Sequence, residues 1–366
     1  MKALVVQSLS PDLSGVELAD LPLPSRGPGE VLVQVRAASL NFPDLLMTRG
    51  EYQLKPDLPF TAGLEFAGEV VEADADSGFA PGDAVYGGNK TGAFAEYAVV
   101  PNRAVTRMPH GVGYPAAAAL GAAYGTAYTG LVEIGGLKAG QWVLVHGASG
   151  GVGLAAVELA KRLGAHVIAT TGSPGKVEAL RQASDADAVI LAEGRFREQV
   201  AELTGGKLCD LVYDPVGGDV FDESTRCVAF GGKLLVIGFA GGRIADISTN
   251  IPLIKGFSVV GVRAGEYARR FPERGKAIRE AVATLAADGR LNPHIDRKLH
   301  WNAGAKPSRR WPGAASSARS CWNRRAERRR AALADRPFPL SKPGNCMRQR
   351  PAIASSTRAL SAVAPC

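Results

Sequence analysis

Residues 141–170, QWVLVHGASGGVGLAAVELAKRLGAHVIAT, carry their structural signals in order. An apolar run, WVLV, reads as a buried strand, a glycine cluster breaks it, an amphipathic helix follows, and HVIAT reads as a second strand. That is one βαβ element of a parallel sheet. Within it, Ala148-x-Gly150-x-x-Gly153 is a dinucleotide fingerprint with alanine at its first glycine position, standing between strand and helix as the motif requires. Gly150 would let backbone amides approach a pyrophosphate, Gly153 would let helix and strand pack closely, and the helix N-terminus would add partial positive charge. Ala148, Ser149, Gly150, Gly151, Val152 and Gly153 are therefore the expected cofactor cradle, the bland alternative being an ordinary tight turn.

The end of the second strand selects the cofactor. A dinucleotide without a 2′-phosphate calls for Asp or Glu there, whereas this chain runs Thr170-Thr171-Gly172-Ser173-Pro174-Gly175-Lys176. Hydroxyls and a cation suit a 2′-phosphate, so NADPH is expected, with Ser173 and Lys176 nearest the phosphate and Thr171 also binding the cofactor. Otherwise Lys176 only decorates a helix start.

The alternation continues downstream. DAVIL, a helix around Phe196–Leu203, CDLVYDPVGG, a helix around Val220–Val228, GGKLLVIGF and FSVVGVRAG predict a parallel sheet covered on both faces. ERGKAIREAVATLAADGRL reads as a helix with a glycine-containing end. Upstream, residues 1–100 alternate short apolar runs with Gly and Pro, which predicts a compact β-rich unit. The expected organisation is α/β plus β: a β-rich domain over 1–115 with a return segment at 266–299, a Rossmann domain over 116–265, and a basic tail over 300–366.

The net charge of +8 is unevenly held. Residues 301–366 carry 14 Lys or Arg against Glu327 and Asp335, a charge of +12, which leaves −4 on the remaining 300 residues. Cys209 and Cys227 precede the tail and Cys321, Cys346 and Cys366 lie in it, without zinc-like spacing or a disulfide framework. No apolar run approaches a spanning helix and the N-terminus has no secretory pattern, so a cytoplasmic protein with no membrane partner is expected.

The strings GPGEVLVQVRAASLNFPDLLMTRGEYQ, LPFTAGLEFAGEVV, PGDAVYG, GAFAEYAVV, LVHGASGGVGLAAVELAKRLGA and VYDPVGGDVF cover most of residues 1–299. Together they resemble the medium-chain dehydrogenase/reductase superfamily, in particular its zinc-free quinone oxidoreductase branch, which implies a GroES-like β-rich catalytic domain. Where zinc-dependent relatives hold the metal with Cys and with the His of a GHE tripeptide, this chain has Asn41 and Leu64, and the structural-zinc lobe is missing; no metal is expected. The resemblance implies hydride delivery to a small-molecule quinone or conjugated carbonyl. It places Asn41, Asp44 and Tyr52 at the substrate cleft and Tyr124 and Thr126 beside the nicotinamide, with Asp214, Val216, Gly217, Phe239 and Ala240 closing over the cofactor. Asn41 and Asp44 have a second reading as helix caps and Tyr52 as packing. Leu191 stands where relatives often carry Tyr, which implies a lost cofactor contact. FSVVGVRAG resembles the strand that extends the sheet across a homodimer axis. An enoyl or acryloyl-type thioester reductase on the same fold is the alternative enzyme, and a nucleic-acid-binding or crystallin-like protein the non-enzyme alternative.

After HIDRKL the resemblance stops, where relatives continue with a helix and a GKVVL-like strand. Read one base out of register with GC-rich third codon positions, His300 to the start of Trp311 becomes LERGREAVAPL, and Trp311 to Asn323 becomes AGRRVVGKVVLE. A frameshift after about Leu299 is therefore expected, with the tail mostly unfolded. RRAERRRAALADR could instead bind nucleic acid electrostatically, with Trp301, Trp311 and Trp322 stacking on bases. The frame reading explains where the change falls, so a nucleic-acid partner is not expected.

Overall fold

KALVV and VLVQVRAAS put apolar, largely β-branched side chains on residues that can face a common core, and both stretches are strands. In the computed structural model, residues 1–300 and 319–323 are described. β1 (Lys2–Val6), β2 (Val16–Asp20) and β4 (Phe60–Thr61) make a small antiparallel sheet ordered β2-β1-β4. A larger sheet is centred on β3 (Glu30–Ser39), paired antiparallel to β5 (Glu65–Glu72), followed by β6 (Ala84–Gly88) and β8 (Val105–Arg107). On the other edge of β3, Glu30–Gln34 pair with β7 (Tyr97–Pro101). Val31, Val33, Phe66 and Phe94 close the core between these strands. The β-rich unit also contains a helix, α1 (Phe42–Arg49), inserted between β3 and β4.

α2 (Tyr114–Ala117) and α3 (Gly121–Tyr128) lead into the second sheet. Its strands are β9 (Trp142–Val145), β10 (His166–Thr171), β11 (Ala188–Leu191), β12 (Cys209–Asp214), β13 (Val228–Val236) and β14 (Ser258–Gly261). All pair in parallel, in the order β11-β10-β9-β12-β13-β14. The crossovers are α4 (Gly151–Arg162), α5 (Val177–Ala183), α6 (Arg197–Leu203), α7 (Gly218–Ser224) and α8 (Asn250–Lys255). Adjacent residues of β9 show why both faces are covered. Val143 and Val145 sit in one apolar cluster with Leu159, while Leu144 sits in another with Phe196 and Phe221.

The expected doubly wound α/β sheet and GroES-like β unit are therefore present. One boundary moves: the helix expected at Val220–Val228 is α7, ending at Ser224. The amide of Cys209 donates to the carbonyl of Cys227 at 2.9 Å, which draws the next residues into β13.

α9 (Ala264–Arg270) and α10 (Pro272–Ala287) follow β14, and Val282 and Ala286 of α10 join the core cluster that holds α3 and α4. β15 (Ile295–His300) then returns to the larger antiparallel sheet. Between it and β3 lies β16 (Arg319–Asn323), parallel to β15 and antiparallel to Ala37–Ser39, on the edge of β3 that β7 leaves open. The tail is expected to be largely unfolded, yet Arg319–Asn323 forms a strand, and the rest of that tail lies outside the described residues. Among the described residues no helix is long and apolar enough to cross a membrane.

Candidate cofactor and acceptor site

The glycine turn is shaped by backbone needs. Gly147 adopts φ 55°, a left-handed conformation, two residues after the end of β9. Ala148, aligned with the motif's first glycine, is fully buried and donates its amide to the Thr170 carbonyl at 2.8 Å, so it joins the turn to β10. Gly150 is the N-cap of α4. A Cβ on Gly153 would lie 2.4 Å from the Gly147 carbonyl oxygen, so only glycine lets α4 pack this tightly on the turn. Gly151 and Val152 open the helix.

Hydroxyls connect this turn to the loop after β10. Ser149 and Thr171, both nearly buried, have their hydroxyls 3.3 Å apart, and the Ser173 amide donates to Thr171 Oγ1 at 3.3 Å. Lys176 ends the single helical turn that follows. Partial burial lowers the pKa of its ammonium, and the charge of Asp296 opposes that shift.

His146 lies beneath, fully buried. Its Nδ1 is 2.9 Å from Thr170 Oγ1 and its Nε2 is 2.7 Å from Ser224 Oγ. Ser224 donates its one hydroxyl proton to the Val220 carbonyl at 2.6 Å, so it can only accept from His146. The proton of the neutral imidazole is thereby assigned to Nε2, and Nδ1 accepts from Thr170. Burial lowers the pKa of His146 to about 3, which keeps the ring neutral.

The end of β12 forms the opposite wall. Asp214 is buried, and its Oδ1 accepts from the amides of Val216 at 2.8 Å and Gly217 at 2.9 Å. It therefore shapes the turn, and burial raises its pKa. The amide of Ala240 donates to Pro215 O at 3.0 Å, and half-exposed Phe239 lies over Gly217. Asp214, Val216, Gly217, Phe239 and Ala240 are thus brought together.

On the β-rich side, Asn41 is the N-cap of α1 in a capping box, and its amide donates to Asp44 Oδ2 at 2.8 Å. Asp44 is fully buried; desolvation, aided by the charge of Glu65, pushes its pKa well above the carboxylate range. Both residues carry out the capping role that the sequence allowed. Tyr52 is partly buried and packs against the apolar core of the β-rich unit. Tyr124 is buried, with its hydroxyl on Glu158 of α4, and Thr126 turns its hydroxyl back to the Ala122 carbonyl at 2.6 Å.

Two polar residues escaped the sequence reading. Glu65 gathers Ser39, Asn41 and the Ala122 amide, and His146 gathers Thr170 and Ser224. The signal available for Glu65 was an acid placed directly before the apolar pair Phe66-Ala67 at the start of the strand EFAGEVV. Among the described residues no group of three or more His, Cys, Asp or Glu could hold a metal ion.

Comparison with known proteins agrees with this architecture. The alcohol dehydrogenase GroES-like domain model matches residues 27–110, and the zinc-binding dehydrogenase model matches residues 151–283. The chain is 36% identical over 296 residues to quinone oxidoreductase-like protein 2 of Rattus norvegicus, covering 80% of this chain and 83% of that one. It is 34% identical over 287 residues to a quinone oxidoreductase of Pseudomonas aeruginosa, covering 78% and 88% respectively. Among solved structures, mycobacterial Rv1454c complexed with NADPH superimposes with a TM-score of 0.80 at 26% identity, over 88% of this chain and 100% of that one.

Proposed function

The chain belongs to the medium-chain dehydrogenase/reductase superfamily, and on that premise we propose that it is an NADPH-dependent, zinc-independent reductase of quinones. The observation that carries the reading is the end of β10 and the loop after it, where Thr171, Ser173 and Lys176 stand with no acid among them. Gly150 and Gly153 give backbone room for a pyrophosphate at the start of α4, and Lys176 with Ser173 would hold the 2′-phosphate. The bound cofactor would supply hydride from its reduced nicotinamide. Val216, Gly217, Phe239 and Ala240 would close over it and exclude water, while Asn41 and Tyr52 would border the acceptor. The relative solved with NADPH supports the cofactor, and the relatives named as quinone oxidoreductases support the acceptor class.

Zinc independence rests on ligand chemistry. Leu64 offers no donor atom, and the Asn41 side-chain NH2 is engaged by Glu65 at 2.9 Å and by the Ser39 carbonyl at 3.2 Å.

A homodimer formed through β14 is part of this reading. β14 is an edge strand with Ser258, Val259 and Gly261 exposed. Beside it Phe230 is 89% exposed, Leu253 81% and Ile254 75%, an apolar patch suited to a second copy.

The frameshift after about Leu299 also belongs here. Ala318 to Asn323 re-reads as KVVLE, and Arg319–Asn323 is the tail segment that forms β16. Sequencing the gene around codons 298–302 tests it directly.

Steady-state oxidation of NADPH and NADH with 1,4-benzoquinone and with crotonyl-CoA tests the activity. Faster turnover of NADPH with benzoquinone is expected. Preference for crotonyl-CoA would move the reading to a thioester reductase, and salt-dependent nucleic-acid binding without any NADPH oxidation would refute an enzyme.

A further inference from the structure

The geometry points to Glu65 as a positioning residue that fixes the Asn41 side chain against α3, and so sets the acceptor side of the site relative to the nicotinamide side. This rests on the proposed reductase function. Glu65 is only 4% exposed, and a carboxylate at that depth needs donors on its oxygens. Its Oε1 accepts from the Ser39 hydroxyl at 2.7 Å and from Asn41 Nδ2 at 2.9 Å, and its Oε2 accepts from the Ala122 amide at 2.7 Å.

Each partner lies on a different part of the site. Ser39 ends β3, Asn41 caps α1, and Ala122 is in the first turn of α3, the helix that carries Tyr124 and Thr126. The second Asn41 Nδ2 proton goes to the Ser39 carbonyl at 3.2 Å, so both amide protons point toward this cluster. The amide is thereby held in one of its two flipped orientations. Gly121 makes the room: a Cβ there would lie 2.8 Å from Glu65 Oε2. The carboxylate also sits where the amides at the start of α3 favour negative charge.

Ser39, Asn41 and Ala122 all donate to it, so Glu65→Gln is the discriminating substitution. It keeps size and shape, yet its amide nitrogen must face at least one donor. In the full chain, Glu65→Gln is expected to lower kcat/KM for 1,4-benzoquinone by about tenfold while the Kd of NADPH, read by fluorescence, stays within about twofold. Gly121→Ala, which crowds the carboxylate without changing it, is expected to shift the same parameter in the same direction and serves if Glu65→Gln does not fold.

A double-mutant cycle with Asn41→Ala separates positioning from simple support. If Glu65 acts through Asn41, the double variant is no slower than Asn41→Ala alone. Additive losses, or a lower Tm with unchanged kcat/KM, would overturn the inference. A wild-type protein that reduces no acceptor would overturn the proposed function and this inference with it, so the wild-type control tells the two failures apart.

Discussion

A buried histidine must keep its single proton on one nitrogen, and at His146 the surrounding hydroxyls decide which. Because its pKa falls from 6.5 to about 3, the unfolded chain binds more protons than the folded one between those values. The contribution is fully present above pH 6.5 and is lost as pH falls toward 3, by about 1.4 kcal/mol per unit. Asp44 has the opposite sign, since its raised pKa favours the fold at low pH, so it does not cause acid loss. We expect Tm of the wild type to fall more steeply than that of His146→Gln between pH 6.5 and 4.5. Parallel curves would mean that His146 does not govern this slope. At Lys176, replacement by Ala should raise KM for NADPH about tenfold, as loss of a charge-assisted bond would, and leave KM for NADH within about twofold. Equal effects on both cofactors would remove Lys176 from the 2′-phosphate. Lys176 and the glycines were legible in the sequence because local order and spacing define them. Glu65 and His146 were not, because Ala122 lies 57 positions from Glu65 and Ser224 lies 78 from His146.

Among the elements, the strand-turn-helix around Gly153 was the most readable, since an apolar run, glycines and an amphipathic helix follow one another without interruption. Its packing tolerance is narrow. Gly153→Ala puts a methyl group 2.4 Å from Gly147 O and 2.7 Å from Ala148 Cα, and both are backbone atoms that cannot step aside. We expect a loss of about 2 kcal/mol or more in denaturant unfolding, together with weakened NADPH binding. Unchanged binding would show that the turn relaxes without disturbing the cofactor cradle. The end of α7 was less readable, because EST and RCV have no strong terminator and the helix stops where Cys227 meets Cys209 across the sheet. β14 and α8 carry the assembly prediction: Leu253→Glu with Ile254→Glu should convert a dimer to a monomer in light scattering. A wild type that is already monomeric at micromolar concentration would remove β14 as the interface.

Across the whole molecule, the charge imbalance and the strand order concern the same region. The +12 of residues 301–366 sits on a body of −4, so the basic character of the chain records the tail and says little about a partner. β16 shows what that tail must still supply, because the edge of β3 at Ala37–Ser39 and the strand β15 need a partner between them. RSCWN forms the ladder with its backbone, but the re-read KVVLE offers a continuous apolar run with two β-branched valines, which suits a strand between two others. A chain expressed from a gene with one base restored at codon 300 should therefore melt about 5 °C higher or more and give more soluble protein. The comparison is made by calorimetry and by soluble yield from matched cultures. Equal melting and equal yield would mean that Arg319–Asn323 closes the sheet as well as the re-read strand and that the altered tail costs the fold nothing.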